Sequence, residues 1–360
     1  MEIPFIYGKI VSDRDFTDRT QESSKLLANF LSQTNTTIIS PRRWGKSSLV
    51  NKVIKLASEA NSKLLFVRMN AFKCETPQEF YELFAKRTVE EISTSKLSIS
   101  GPAGQYELSL GVDWRDASVG EDVLNLPQLI AKKRKKKVIV CIDEFQQIGE
   151  FDQSSRFQKI LRNHWQEQTD VAYILYGSKK HMMLNIFGEY GKPFYRFCDM
   201  MFLPKIDNQD WQEYIMRRFS ETGKAISPEL AGKLADIVDN HPYYVQQLAQ
   251  YTWLRTPRKC TEDIIQSAFQ SMLDSLNLQF VNLMDSLTEK QRSFLCAICD
   301  GVRNFSSVET LSRYRLGTSG NIRIMKNALI KRDLIEVSGS IVDIQDPVFK
   351  QWILKEYKSI

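Results

Sequence analysis

The 360-residue chain has no apolar run long enough to cross a membrane. Its longest strongly apolar stretch is VIVCI at 138–142, against the roughly 20 residues that a helical span needs. The opening MEIPFIYGKI has neither the basic start nor the apolar stretch of a secretory signal, so a cytoplasmic location is expected. Six cysteines are too few for a disulfide framework in a chain of this length. Cys296 and Cys299 form a CxxC pair, but no second Cys or His pair lies nearby to complete a zinc site. Phe294, Leu295, Ile298 and Val302 run through the same stretch at helical spacing, so the pair is expected on a packed helix face. Neither sign of charge dominates. With 49 Lys and Arg against 43 Asp and Glu, the net charge is +6, which permits contact with a polyanion without specifying one. There is no internal repeat and no long low-complexity segment.

What is present is an ordinary globular mixture, 42% apolar and 26% charged, and at about 150 residues per domain the length predicts two or three domains. From 36 to 204, short apolar strands alternate with amphipathic helical stretches, the pattern of a parallel α/β sheet built by right-handed crossovers. Strands are predicted at 36–39, 64–70, 138–142, 172–176 and 200–203. Tyr106, Leu108, Leu110 and Val112 alternate with polar residues beside a GPAG turn, which predicts a β-hairpin insertion near 96–112. Beyond 205 the pattern turns helical, with helices expected at 208–221, 228–239, 243–255 and 261–287. Three further helices and a hairpin through Ser338, Gly339 and Ser340 describe a winged helix. The expected domains are a P-loop core at 1–205, a helical lid at 206–286 and a winged helix at 287–360.

The first strand runs into Ser40, Pro41, Arg42, Arg43, Trp44, Gly45, Lys46 and Ser47, with Ser48 opening a helical stretch. Seven of these eight positions fit GxxxxGK[ST]; Ser40 replaces the leading glycine. A strand ending in such a loop aims backbone N–H groups and the positive end of the next helix at a phosphate chain. Pro41 to Ser48 are therefore candidate nucleotide contacts. Lys46 is placed to reach the β and γ phosphates and Ser47 to ligate Mg²⁺. Gly45 is assigned to the close approach of backbone to phosphate. About ninety residues on, the strand at 138–142 ends in Asp143, a candidate for holding hydrated Mg²⁺, and Glu144, which could accept a proton from the attacking water or orient it. Ser178 ends the fourth strand, either as a group touching γ-phosphate or water or as a turn serine.

The motifs FTDRTQE (16–22), ISPRRWGKSSL (39–49), VIVCIDEFQ (138–146), YGSKKHMM (176–183), PFYRF (193–197) and NHPYYVQQL (240–248) resemble, in order, those of the archaeal-type prokaryotic ATPases, in the STAND branch of AAA+-related P-loop proteins. The resemblance spans essentially the whole chain. It implies an ASCE, AAA+-like core with sheet order 5-1-4-3-2, and ATP as the nucleotide. It places Phe16, Arg19 and Glu22 on the adenine side, with Asp18 where many relatives carry glycine. It makes His241 and Pro242 a nucleotide-contacting lid motif, while Pro242 also suits the first turn of a helix. Arg196 matches an arginine that faces the γ-phosphate in cis or from a neighbouring copy. Arg43 either contacts phosphate or ties the loop to the lid.

From Leu287 onward there are 12 basic and 8 acidic residues. In the third helix of this region, Ile322, Met325 and Leu329 share one face and leave Arg323, Lys326 and Asn327 outward, a candidate surface for a DNA major groove. The KKRKKK run at 132–137 reads as a helix end that keeps the adjoining strand soluble, or as a polyanion patch. The expected function is a slow, Mg²⁺-dependent ATPase acting as a conformational switch. The alternative is a winged-helix DNA-binding regulator or origin-recognition-like loader in which ATP is a structural or sensing ligand. A protein effector on another chain and an oligomer are the further expected partners.

Overall fold

The computed structural model describes residues 3–11, 13–92, 97–101, 104–108, 120–151 and 155–357. The chain divides into two compact units, Arg19–Pro204 and Met1–Asp18 with Lys205–Ile360.

In the first unit β1 (Thr36–Ile39), β2 (Leu64–Asn70), β5 (Lys137–Asp143), β6 (Val171–Gly177) and β7 (Asp199–Phe202) form a parallel sheet in the order β2-β5-β6-β1-β7. Counted over these five strands alone, this is the order 5-1-4-3-2 read from the opposite edge. No predicted strand limit moves by more than one residue. The agreement has a simple cause: strands covered on both faces are continuous apolar runs, and polar or glycine residues end them. All of β6 is buried, and its Tyr173 hydroxyl donates to Gln168 Oε1 at 2.7 Å. Trp165, on the helix Arg156–Gln166, stacks on the Tyr173 ring with centroids 4.0 Å apart.

Between β2 and β5, β3 (Leu97–Gly101) pairs antiparallel with β4 (Gly104–Leu108), the expected hairpin. Its predicted members Leu110 and Val112 lie outside the described residues. The basic run ends the helix Leu126–Arg134, with Lys135 in the left-handed conformation. Arg134 donates to Ile92 O at 2.7 Å, and Lys137 pairs with Asp170 at 2.6 Å, so at least part of the run serves the fold.

The second unit holds the helices Asn208–Ser220, Pro228–Ile237, Pro242–Arg255 and Glu262–Asp285. They are followed by Glu289–Cys299, Val308–Arg313, Ser319–Lys331, the hairpin of β8 (Ile335–Ser338) and β9 (Ile341–Ile344), and the helix Pro347–Trp352. Gly339 turns the hairpin at φ +61°. Trp211, Phe269, Phe294 and Phe349 belong to one continuous apolar cluster, so the expected lid and winged helix share a core. Cys296 and Cys299 pack against it.

The first eighteen residues, expected to open the P-loop core, cluster instead with 205–360. Phe5 is buried against Phe219, with centroids 5.7 Å apart. The buried Arg218 guanidinium donates to Pro4 O at 2.6 Å and pairs with Asp15 at 2.7 Å. These partners lie about two hundred positions apart in the chain, and local periodicity carries no signal for such a contact.

Candidate functional site

The loop after β1 takes its shape from two left-handed residues, Arg43 at φ +64° and Gly45 at φ +90°. Gly45 caps the helix Lys46–Ala60. A Cβ at Gly45 would meet nothing within 4 Å, so within the protein its requirement is one of dihedral angle rather than of space. Ser40 is absent from the positive-φ positions, which is why serine can start the loop.

Lys46 is buried, and its ammonium donates to Ser40 O at 3.0 Å and Pro41 O at 3.1 Å. Burial lowers its pKa to about 8, against the opposing pull of Glu144 and Asp143. Arg42 adds a smaller push in the same direction as burial. Arg42, Arg43 and Gly45 are exposed, Trp44 is half-buried, and Ser48 is buried in the first turn of the helix.

Ser47 Oγ donates to Asp143 Oδ2 at 2.9 Å, joining the P-loop helix to the end of β5 across the sheet. Asp143 Oδ1 accepts from the Glu144 backbone N–H at 2.8 Å. Burial raises the Asp143 carboxyl pKa, and the Ser47 hydrogen bond opposes the rise. Glu144 is itself left-handed, at φ +51°. Its Oε2 accepts from Ser178 Oγ at 2.9 Å and from the Gln146 side-chain amide.

Arg19 is almost wholly buried. It donates to Pro204 O at 2.7 Å and to Trp44 O at 3.5 Å, and it pairs with Glu22 at 3.0 Å. Its side chain therefore braces the backbone of the phosphate loop. Asp18 has φ +49°, a conformation glycine adopts freely and Asp tolerates.

Lys46, Ser47, Asp143, Glu144 and Ser178 thus meet at the carboxyl ends of β1, β5 and β6. Phe16, His241 and Pro242 fall in the other unit. Pro242 opens the helix Pro242–Arg255, and His241 sits at its N-cap, its ring 4.8 Å from that of Tyr244. Arg196 precedes β7, whose first residue pairs with Thr36 at the amino end of β1. The phosphate loop leaves the carboxyl end of the same strand pair, so Arg196 lies at the opposite end of the strands from the loop. It is exposed, at φ +56°, with its guanidinium 5.3 Å from the Tyr195 ring centre. Gln146 received no role from sequence, although it stands in the motif VIVCIDEFQ. Its contact with Glu144 depends on the left-handed turn at Glu144, which no spacing announces.

A search of the curated proteins by sequence finds no match. Among solved structures, a Walker-type ATPase of Pyrococcus abyssi is similar at 15% identity and TM-score 0.71, over 97% of this chain and 99% of that one. The ORC2 protein of Aeropyrum pernix, in ADPNP–ADP complexes, is similar at 14% identity and TM-score 0.65, over 99% and 98%. The ORC1 protein of the same organism, in complex with DNA, is similar at 13% identity and TM-score 0.51, over 96% and 94%. At these identities the likeness is one of fold. A family described as "Probable winged helix domain" matches residues 278–355, and one described as "ATPase domain predominantly from Archaea" matches residues 16–253. That second match takes in well over half of the sequence and the whole phosphate-loop and acidic-strand geometry described above, and the chain belongs to this archaeal-type family of P-loop ATPases.

Proposed function

We propose that the chain binds ATP with Mg²⁺ at the loop 40–47, hydrolyses it slowly, and uses the nucleotide state to switch the conformation of its second unit. The observation that carries this reading is the 2.9 Å hydrogen bond from Ser47 to Asp143. It holds a hydroxyl and a carboxylate oxygen together beside Lys46, the oxygen donors that a hard cation takes. Among the described residues no cluster of three or more His, Cys, Asp and Glu could hold a metal. A cation on Ser47 and Asp143 would complete its shell with water and phosphate, as Mg²⁺ characteristically does. It would supply neutralisation of charge on the β and γ phosphates.

The chain's own groups divide the remaining work. Lys46 sits on neutral carbonyls, acceptors that anionic phosphate oxygens outcompete. The Glu144 carboxylate takes the proton of the attacking water or orients it. Support for the switch comes from connectivity: the chain passes between its units at 18–19 and 204–205. Arg19 bonds both to Pro204 and to the phosphate loop at Trp44.

Lys46→Ala is expected to abolish tight ATP binding, and Glu144→Gln to keep binding while losing turnover, measured by calorimetry and phosphate release. Equal ATP affinity in the Lys46 variant would defeat the assignment. A second reading, DNA binding with ATP as a sensing ligand, draws on the helix Ser319–Lys331. There Arg323 and Asn327 are exposed and Lys326 half-exposed, while Ile322, Met325 and Leu329 are buried. An anisotropy titration with duplex DNA over a salt series, with and without ATP, separates the two. Steep salt dependence indifferent to ATP favours the regulator. Assembly of several copies on DNA would favour a loader, with Arg196 acting in trans.

A further inference from the structure

We propose that Gln146 is a positioning residue for Glu144, and that residue 177 is glycine so that the Gln146 amide can occupy the space beside the acidic pair. The proposal rests on the reading of Glu144 as the group that handles the attacking water.

Gln146 is almost completely buried at the start of the 3-10 turn Phe145–Glu150. Its side-chain N–H donates to Glu144 Oε2. A carboxylate faces that end of the amide, so the NH₂ group must be the one turned toward it. The other end, Oε1, is buried and has no hydrogen-bond partner among the described residues. Leaving a buried carbonyl unsatisfied is unfavourable, and an apolar side chain of the same shape would avoid the loss. Among the hydrogen bonds of the described residues, the one this side chain makes is to the Glu144 carboxylate, so that carboxylate is what its polar end serves.

Gly177 fits the same account from the neighbouring strand. A Cβ there would lie 1.9 Å from Gln146 Oε1 and 2.7 Å from Met183 Sδ. Gly177 is not among the positive-φ glycines. Its lack of a side chain thus answers a need for room, which Gln146 fills.

Ser178, the next residue, donates to the same Oε2 at 2.9 Å. Two donors on one oxygen fix the carboxylate plane and leave Oε1 as the oxygen presented for a water proton. They also counter a specific competitor. The Lys46 ammonium attracts the Glu144 charge, and the two hydrogen bonds hold the carboxylate against that attraction.

The test replaces Gln146 by Met, which keeps length and bulk and removes the donor. In Gln146→Met, kcat for ATP with Mg²⁺ is expected to fall about tenfold or more, with KM for ATP and Kd for ADP within about twofold of native. The unfolding temperature is expected to stay within a few degrees of native, because loss of the donor to Glu144 is offset by removal of the orphan carbonyl, and because Ser178 still bonds the same carboxylate oxygen. In a Glu144→Gln background the same change is expected to alter residual turnover less than about twofold, because the residue it serves is already absent. A purely structural role would instead lower the unfolding temperature and weaken ADP binding. Should Gln146→Met fail to fold, Gly177→Ala displaces the amide from the other side and should give the same loss of kcat with ADP binding kept. If Glu144→Gln abolishes turnover while the Gln146 or Gly177 variant keeps native kcat, the positioning role is wrong and the assignment of Glu144 stands. If Glu144→Gln itself turns over at the native rate, that assignment fails and the positioning role falls with it.

Discussion

Lys46 is expected to couple nucleotide binding to pH. Burial lowers its pKa from 10.5 to about 8, and an anionic phosphate favours the charged form, so nucleotide binding is coupled to keeping the proton. ATP affinity is expected to hold up to about pH 8 and then to weaken by up to about tenfold per pH unit. Lys46→Arg, permanently charged, should remove the dependence, as titrations at pH 7, 8 and 9 would show. The sign for stability is the reverse. The folded state carries the cost of a buried charge below about 8 and sheds it as pH rises toward the unfolded value of 10.5, so Lys46 itself favours the fold more at pH 9.5 than at pH 7. Gly45→Ala is expected to cost about 1–2 kcal/mol, read from the denaturant midpoint, because φ +90° is strained for any residue with a Cβ. Residue types and spacing made Lys46, Ser47, Asp143 and Glu144 legible in sequence. The contact of Gln146 with Glu144 was not, because it depends on a dihedral angle and on the missing side chain of Gly177.

At the scale of elements, the P-loop helix and β5 belong to separate βα units, and the site exists where Ser47 bridges to Asp143. An aromatic layer packs against β5 and β6. Trp165 lies against Tyr173, Phe145, Phe84 and Phe194, with centroids between 4.0 and 6.5 Å. Trp165→Ala is expected to cost about 3–5 kcal/mol, with a lowered unfolding midpoint. In the second unit Asp346 caps the helix Pro347–Trp352 by accepting from Val348 N and Phe349 N at 2.9 and 3.0 Å. It also accepts from the Tyr244 hydroxyl on the helix Pro242–Arg255. Asp346→Ala is expected to lose about 1–2 kcal/mol in urea unfolding. Helix limits such as 208–221 and 228–239 were readable from apolar spacing to within two residues. That these helices and the winged helix share one core was not, because periodicity shows which face is buried and not what buries it.

On the scale of the whole molecule, the ATPase unit is an insertion within the other unit, entered at 18–19 and left at 204–205. Arg19 and Pro204, at the two ends of this inserted segment, are hydrogen bonded at 2.7 Å. A protein restricted to 19–204 is therefore expected to fold by itself, with a cooperative thermal transition by circular dichroism. Removing the first eighteen residues is expected to destabilise the other unit by about 3 kcal/mol or more, since it strips Arg218 of Pro4 and Asp15 and leaves a buried cation underpaired. Hydrogen exchange, which resolves the two units, should show the loss confined to 205–360.

What the sequence determined by itself was local in origin. Strands appear where apolar runs end in polar residues, the loop shape appears where GK[ST] follows a strand, and the acidic pair appears at a strand tip. Each depends on neighbours within about a dozen positions, the range over which steric and hydrogen-bonding preferences act. Only the tertiary structure decided which unit owns residues 1–18, which end of the sheet Arg196 approaches, and what holds Glu144. Those outcomes rest on contacts between residues far apart in the chain and on single dihedral angles, and the close packing that selects them exists only once the cores have formed.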